Sequence, residues 1–325
     1  MGYLNIMNAI PSISSQIDEK IIFKVIDKHF SRLAPYYYRW INSWLIGAYE
    51  NYGDIDKYII LIYIINKDFI FFRRNGLIVD YDTFYKDKIL EVDRISISDI
   101  SKDLQIPKES VRRKVTQLEK ADVIKKKGKK IFVNRTAFTT VQAKLTLKNM
   151  SILLHEFNKI LKEENIVEAA YQTTEISDSI KKNFSFVWYQ FYKLLFIFTN
   201  RWRKEFGDLE TFTIGIIVLV NAADNKNFRV KEFNKKKYQV SIQGSDNIGV
   251  NAMSLAEITG IPRPTVIRKL KILIKGNVLQ INKKKLITVN MTGQSLKMAR
   301  KLQDQNILSL SNFISRVFNQ IKVIN

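Results

Sequence analysis

Between Ser254 and Leu279 the chain reads SLAEITGIPRPTVIRKLKILIKGNVL, and its apolar positions form two short helical stripes split by turn residues. Leu255, Ala256, Ile258 and Ile261 have the spacing of one helix. Gly260 suits the tight turn that follows, and Pro262 and Pro264 suit the start of the next helix, where a missing N–H does no harm. Val266, Leu270 and Leu273 then recur at i, i+4 and i+7 and predict a single buried stripe. The stretch DISKDLQIPKESVRRKVTQLEKADVI, Asp99 to Ile124, has the same pattern. There the roles fall to Ile100, Leu104 and Ile106, then Pro107, then Val111, Val115 and Leu118.

The two stretches align without a gap at an offset of 155, and 8 of their 26 positions are identical, among them Arg113/Arg268 and Lys114/Lys269. Other segments repeat in the same order. NYGDIDKYIILIYIIN (Asn51 to Asn66) resembles EFGDLETFTIGIIVLVN (Glu205 to Asn221), and VNRT (Val133 to Thr136) answers VNMT (Val289 to Thr292). An internal duplication is therefore expected, with units 1–165 and 166–325. Each unit reads as an aromatic-rich helix, a Gly-Asp turn, an apolar helix, a variable stretch (67–93 and 222–250), the basic segment, and a long amphipathic helix capped near Thr136 or Thr292. The polar stretch 162–183 reads as the joint between units.

The face opposite each apolar stripe is basic or hydrogen-bonding. In the first unit it carries Lys108, Ser110, Arg112, Arg113 and Gln117; in the second, Arg263, Thr265, Ile267, Arg268 and Lys271. A DNA major groove admits a helix of this kind, and these side chains can reach base edges and phosphates. A β-hairpin is predicted after each helix pair, turning at Gly128 in the first unit. Both tips are lysine clusters: Lys125, Lys126, Lys127, Lys129 and Lys130, then Lys283, Lys284 and Lys285. Lysines there can meet phosphates beside the groove that the helix enters.

Charge strengthens the picture. Lys and Arg number 53 against 31 Asp and Glu, a formal +22, which calls for a polyanionic partner. No Asp or Glu occurs from Val123 to Leu154 or from Ile258 to Gln303, so the excess is concentrated behind the two helix pairs.

At these residues, LAEITGIPRPTVIRKL above all, the sequence resembles the winged helix-turn-helix DNA-binding fold. The layout of helices before and after each hairpin looks like the multiple-antibiotic-resistance-regulator (MarR) family of bacterial transcription regulators. The resemblance implies terminal helices that join two copies and often frame an effector pocket. The fold expected is mainly α with small β-hairpin wings: two tandem winged helix-turn-helix repeats packed as an internal pseudo-dimer. The function expected is sequence-specific binding of double-stranded DNA by one cytoplasmic chain acting as a pseudo-dimer. Arg112 corresponds to Ile267, a guanine-pairing side chain against an apolar one, so a partly asymmetric DNA site is expected. A plasmid-type replication initiator, also built from two winged-helix domains, and a basic membrane-surface protein remain the alternatives.

Other chemistry is thinly represented. The chain has no cysteine and two histidines, His29 and His155, which predict no metal site and read as surface or packing residues. No phosphate-cradling glycine loop, dinucleotide fingerprint or nucleophile elbow is present, and no enzyme or cofactor is expected. YIILIYII (Tyr58 to Ile65) and FSFVWYQFYKLLFIFT (Phe184 to Thr199) are too short or too interrupted to span a bilayer and read as core helices. The first residues lack a secretory pattern. Tyr36, Tyr37, Tyr38, Trp40 and Trp44, with Trp188, Tyr189, Phe191 and Tyr192, form aromatic clusters that can be core or can line a small-molecule effector pocket. Arg201 and Arg203 read as a helix-end charge cluster rather than a phosphate site.

Overall fold

The computed structural model describes residues 16–137, 140–223, 234, 237–238, 249–290 and 293–324. It is mainly helical, with one antiparallel sheet of three strands and one of two.

In chain order the first part holds α1 (Glu19–Lys28), α2 (Phe30–Tyr52), α3 (Ile55–Arg74), α4 (Tyr81–Lys86), β1 (Ile89–Asp93), α5 (Ile97–Leu104), α6 (Lys108–Lys120), β2 (Ile124–Lys127), β3 (Lys130–Asn134), a 3-10 turn (Arg135–Ala137) and α7 (Thr140–Glu163). The rest holds α8 (Thr173–Lys182), α9 (Phe184–Phe206), α10 (Leu209–Ala223), α11 (Ala252–Thr259), α12 (Arg263–Lys275), β4 (Leu279–Ile281), β5 (Ile287–Val289) and α13 (Gly293–Ile324). Helices α1, α2 and α3 begin at residues 19, 30 and 55, and α8, α9 and α10 at 173, 184 and 209, a shift of 154 each time. Elements α5, α6 and β2 begin at 97, 108 and 124, and α11, α12 and β4 at 252, 263 and 279, a shift of 155.

The helix ends follow from local chemistry. Gly53 ends α2 in the left-handed conformation (φ 63°), and Asp54 caps α3 by accepting the Lys57 N–H at 3.0 Å. Gly207 (φ 80°) and Asp208, which accepts the Thr211 N–H at 2.7 Å, do the same between α9 and α10. A repeated Gly-Asp is thus two opposite caps back to back.

The core lies where α2, α9 and the long closing helices meet: Trp40 stacks on Phe191 (5.0 Å between centroids) and touches Phe313 (5.2 Å). The terminal helices cross over. Helix α1 packs on α13, and α8 on α7, so each half's first helix meets the other half's last. Asn319 holds both the N–H and the C=O of Ile17 (2.9 and 3.1 Å), while Asn158 accepts the Tyr171 N–H at 2.6 Å.

Several expectations need correcting. The stretch 67–93, read as variable, holds regular elements: α3 runs on to Arg74, and β1 pairs with β3 to make a sheet of order β1-β3-β2 rather than a bare hairpin, while most of its counterpart 222–250 lies outside the described residues. Thr136 does not cap α7; it lies in the 3-10 turn, bonded to Asn134, and Thr292 lies outside the described residues. The stretch 162–183 is more than a joint, because α8 within it buries Ile176 and Ile180 completely against α7. Ile258 is 45% exposed, since α11 buries only Leu255 and Thr259.

Candidate nucleic-acid interface

Helix α5 starts at Ser96, whose hydroxyl accepts the Asp99 N–H (3.0 Å), and ends at Gln105 in the left-handed region (φ 52°). Helix α11 starts at Asn251 and ends at Gly260 (φ 67°), where glycine takes that conformation without strain. Pro107 and Pro262 then open α6 and α12, each 13 residues long. Val111, Val115 and Leu118 are buried beneath α6, and Val266, Leu270 and Leu273 beneath α12. Both apolar stripes therefore face inward.

The opposite faces are open. Lys108, Arg112, Arg113 and Gln117 are exposed on α6, with Ser110 half-buried. Arg263, Ile267, Arg268 and Lys271 are exposed on α12, with Thr265 half-buried. At the hairpins, Lys126, Lys127, Lys129 and Lys130 are exposed, as are Lys283, Lys284 and Lys285. The first hairpin turns at Gly128–Lys129, with Gly128 at φ 58°. The second has a tip built on Asn282, whose side-chain oxygen accepts the N–H groups of Lys284 (3.0 Å) and Leu286 (2.9 Å). The three lysines stand on that turn.

The repeated Lys114 and Lys269 behave differently. They point inward, Lys114 to the Asp54 carboxylate and Lys269 to that of Asp208. Each second helix is thus tied by an ion pair to the corner where its own half's Gly-Asp lies. Burial pushes the Asp208 carboxyl up, but bonds from Lys269 and from the Thr211 amide and hydroxyl outweigh it and hold the group below the usual carboxylate range. Sequence alone gave both members of each pair as repeated residues but not their partnership, which spans 60 residues or more of chain.

The halves also grip one another. Arg203 of α9 pairs with Asp56 of α3 (2.5 Å) and donates to the Leu104 carbonyl at the end of α5 (2.9 Å), and Asn200 donates to the Asp103 carbonyl (2.9 Å). Arg201 donates to Asn306 and Ser309. Both arginines are thereby committed inside the molecule. His29 is buried against Glu164 (2.9 Å), and His155 meets the Tyr171 carbonyl (2.7 Å). The aromatic clusters pack against each other, and the cavity beside Tyr37 and Tyr38 is about 10 Å³, room for no more than a water.

Three of the basic side chains have acidic neighbours that the sequence pattern did not reveal. Arg112 meets Glu109 (3.2 Å), Lys126 meets Glu119 (3.0 Å), and Lys130 meets Asp93 (3.0 Å) and Glu91 (3.3 Å). Asp93 and Glu91 come from β1, the strand within the stretch 67–93. A groove of about 660 Å³ opens beside them between α3 and β1, and in it burial pushes Asp68 up to about 6, against the pull of Arg135.

Among the described residues no group of His, Cys, Asp or Glu can hold a metal ion, and no helix is long and apolar enough to cross a membrane. Compared with known protein families, curated proteins and solved structures, the chain matches none.

Proposed function

We propose that the chain is a sequence-specific double-stranded DNA-binding protein that regulates transcription. In this reading it carries two winged helix-turn-helix units in one polypeptide, packed as an internal pseudo-dimer. The observation that carries the proposal is the pair α6 and α12: equal in length, equivalent in position, buried on the apolar side and exposed on the basic side. Helices so faced can lie in major grooves, with the hairpin lysines on flanking phosphates. The crossed packing of α1 on α13 and α8 on α7 supports the pseudo-dimer, because a two-fold arrangement of repeats exchanges equivalent contacts. The exposed residues of α6 and α12 differ, Arg112 against Ile267 above all, which favours an asymmetric DNA site over a palindrome.

Titration of a mixed-sequence duplex and of anionic lipid vesicles with the purified chain, over a range of salt, tests the proposal. Binding of the duplex with an affinity that falls steeply in log–log fashion with salt is expected. Binding to vesicles but not to duplex would transfer the basic surface to a membrane role.

A further inference from the structure

The two helix–hairpin units have similar cations but very different carboxylates. Residues 97–134 hold five acids, Asp99, Asp103, Glu109, Glu119 and Asp122; residues 252–289 hold one, Glu257. At the shift of 155, the positions of those five acids are occupied in the second unit by Ser254, Ile258, Pro264, Ile274 and Asn277, all uncharged. In the first unit Glu109 and Glu119 hold Arg112 and Lys126, and Asp93 and Glu91 hold Lys130 from the neighbouring strand. Among the described residues, no carboxylate pairs with Arg263, Arg268, Lys271, Lys283, Lys284 or Lys285. The wing pairs are accessible: the side chains of Lys130, Glu91 and Asp93 are 45%, 52% and 87% exposed.

Resting on the DNA-binding reading, we propose that Glu91, Asp93, Glu109 and Glu119 are specificity-determining residues that penalise non-specific DNA at the first unit and leave the second unit as the general anchor. Exposed pairs of this kind add little to stability. Their effect on a polyanion is larger, because a phosphate approaching within about 8 Å at physiological salt meets an unscreened carboxylate and a cation already engaged. Non-specific contact therefore gains little from Arg112, Lys126 and Lys130. A correct site compensates by offering a base edge: Glu109 holds the Arg112 guanidinium at the helix surface, from which it exchanges to a guanine. Among the described residues the helix pair and lysine tip of the second unit have no such brake, and the tip engages any duplex. Discrimination between sites comes from what is disfavoured as much as from what is attracted.

The test is fluorescence anisotropy on the full chain with a mixed-sequence duplex and with a duplex selected from a random pool. Wild type is compared with a Glu91→Gln/Asp93→Asn/Glu119→Gln variant. The expected result is roughly tenfold tighter binding to the mixed duplex, with the log–log salt slope steeper by about two, one unit for each freed lysine. Binding to the selected duplex changes less, so the specificity ratio falls. Pro264→Glu, which sets a carboxylate one turn before Arg268, is expected to weaken binding to the mixed duplex. A role confined to bracing the wing sheet predicts no tighter binding in the triple variant. Unchanged affinity and slope in that variant, with wild type binding normally, overturns the inference alone; wild type failing to bind either duplex overturns the DNA reading with it.

Discussion

Asp208 shows how one side chain does two jobs. It caps α10 and neutralises Lys269 at the underside of α12, and Asp54 does both for α3 and Lys114. Lys269 is 12% exposed, so removing its partner leaves a largely buried charge uncompensated. Asp208→Ala is expected to cost about 3 kcal/mol in urea unfolding, cap and pair together. A loss below about 1 kcal/mol would mean that the pair behaves like an ordinary surface contact. The folded carboxyl sits below its ordinary value of 3.8, so the stabilisation is fully present above that value. It is lost as the pH falls through the lowered folded value. Acid unfolding of wild type should therefore steepen below about pH 4, and Asp208→Ala should show less of that steepening.

At the scale of elements, the helix–turn–helix segments and both hairpins were legible in sequence, and the third strand of the first sheet was not. The apolar stripes Val111–Val115–Leu118 and Val266–Leu270–Leu273 follow helical periodicity, and they are buried as the spacing predicts. Gly128 marks the first hairpin turn because a two-residue connection needs a positive φ there. Strand β1 has the alternation of a strand, Leu90 and Val92 buried between exposed Glu91 and Asp93, but over only five residues, inside a stretch read as variable. The acids on Lys126 and Lys130 escaped because charge runs are visible along the chain, but partners from other elements are not. Ile258 was misread because an isolated apolar residue fits a helical stripe on either side of a short helix. For the hairpins the consequence is measurable. Replacing Lys283, Lys284 and Lys285 together by Gln should weaken binding to every duplex alike and flatten the log–log salt slope by about two to three. A variant binding as tightly as wild type at moderate salt would remove the second tip from the interface.

The whole molecule joins two unequal units through a main core with a smaller one beside it. The first unit's helix pair belongs to the main cluster and is held by Arg203 and Asn200 from α9; the second packs on a smaller cluster with α10 and touches α2 through Ile46 and Tyr49. The repeat of Gly-Asp, of the helix pair and of the hairpin was readable in sequence. The joining of the copies through first and last helices was expected from the family resemblance, but which helix meets which, α1 on α13 and α8 on α7, came only from the structure. Under the proposed DNA-binding reading, the packing of both basic helices within one chain sets their separation, and one bound chain should mark two major-groove windows about one helical turn, roughly 34 Å, or a multiple of it apart.

Footprinting of one chain on a duplex selected from a random pool examines that directly, with Arg113→Ala and Arg268→Ala run beside wild type. The expected result is two unequal protected windows, the first weakened by Arg113→Ala and the second by Arg268→Ala, each substitution costing about 1–3 kcal/mol in affinity. A single window, or protection indifferent to both arginines, would contradict the claim that α6 and α12 together read the duplex.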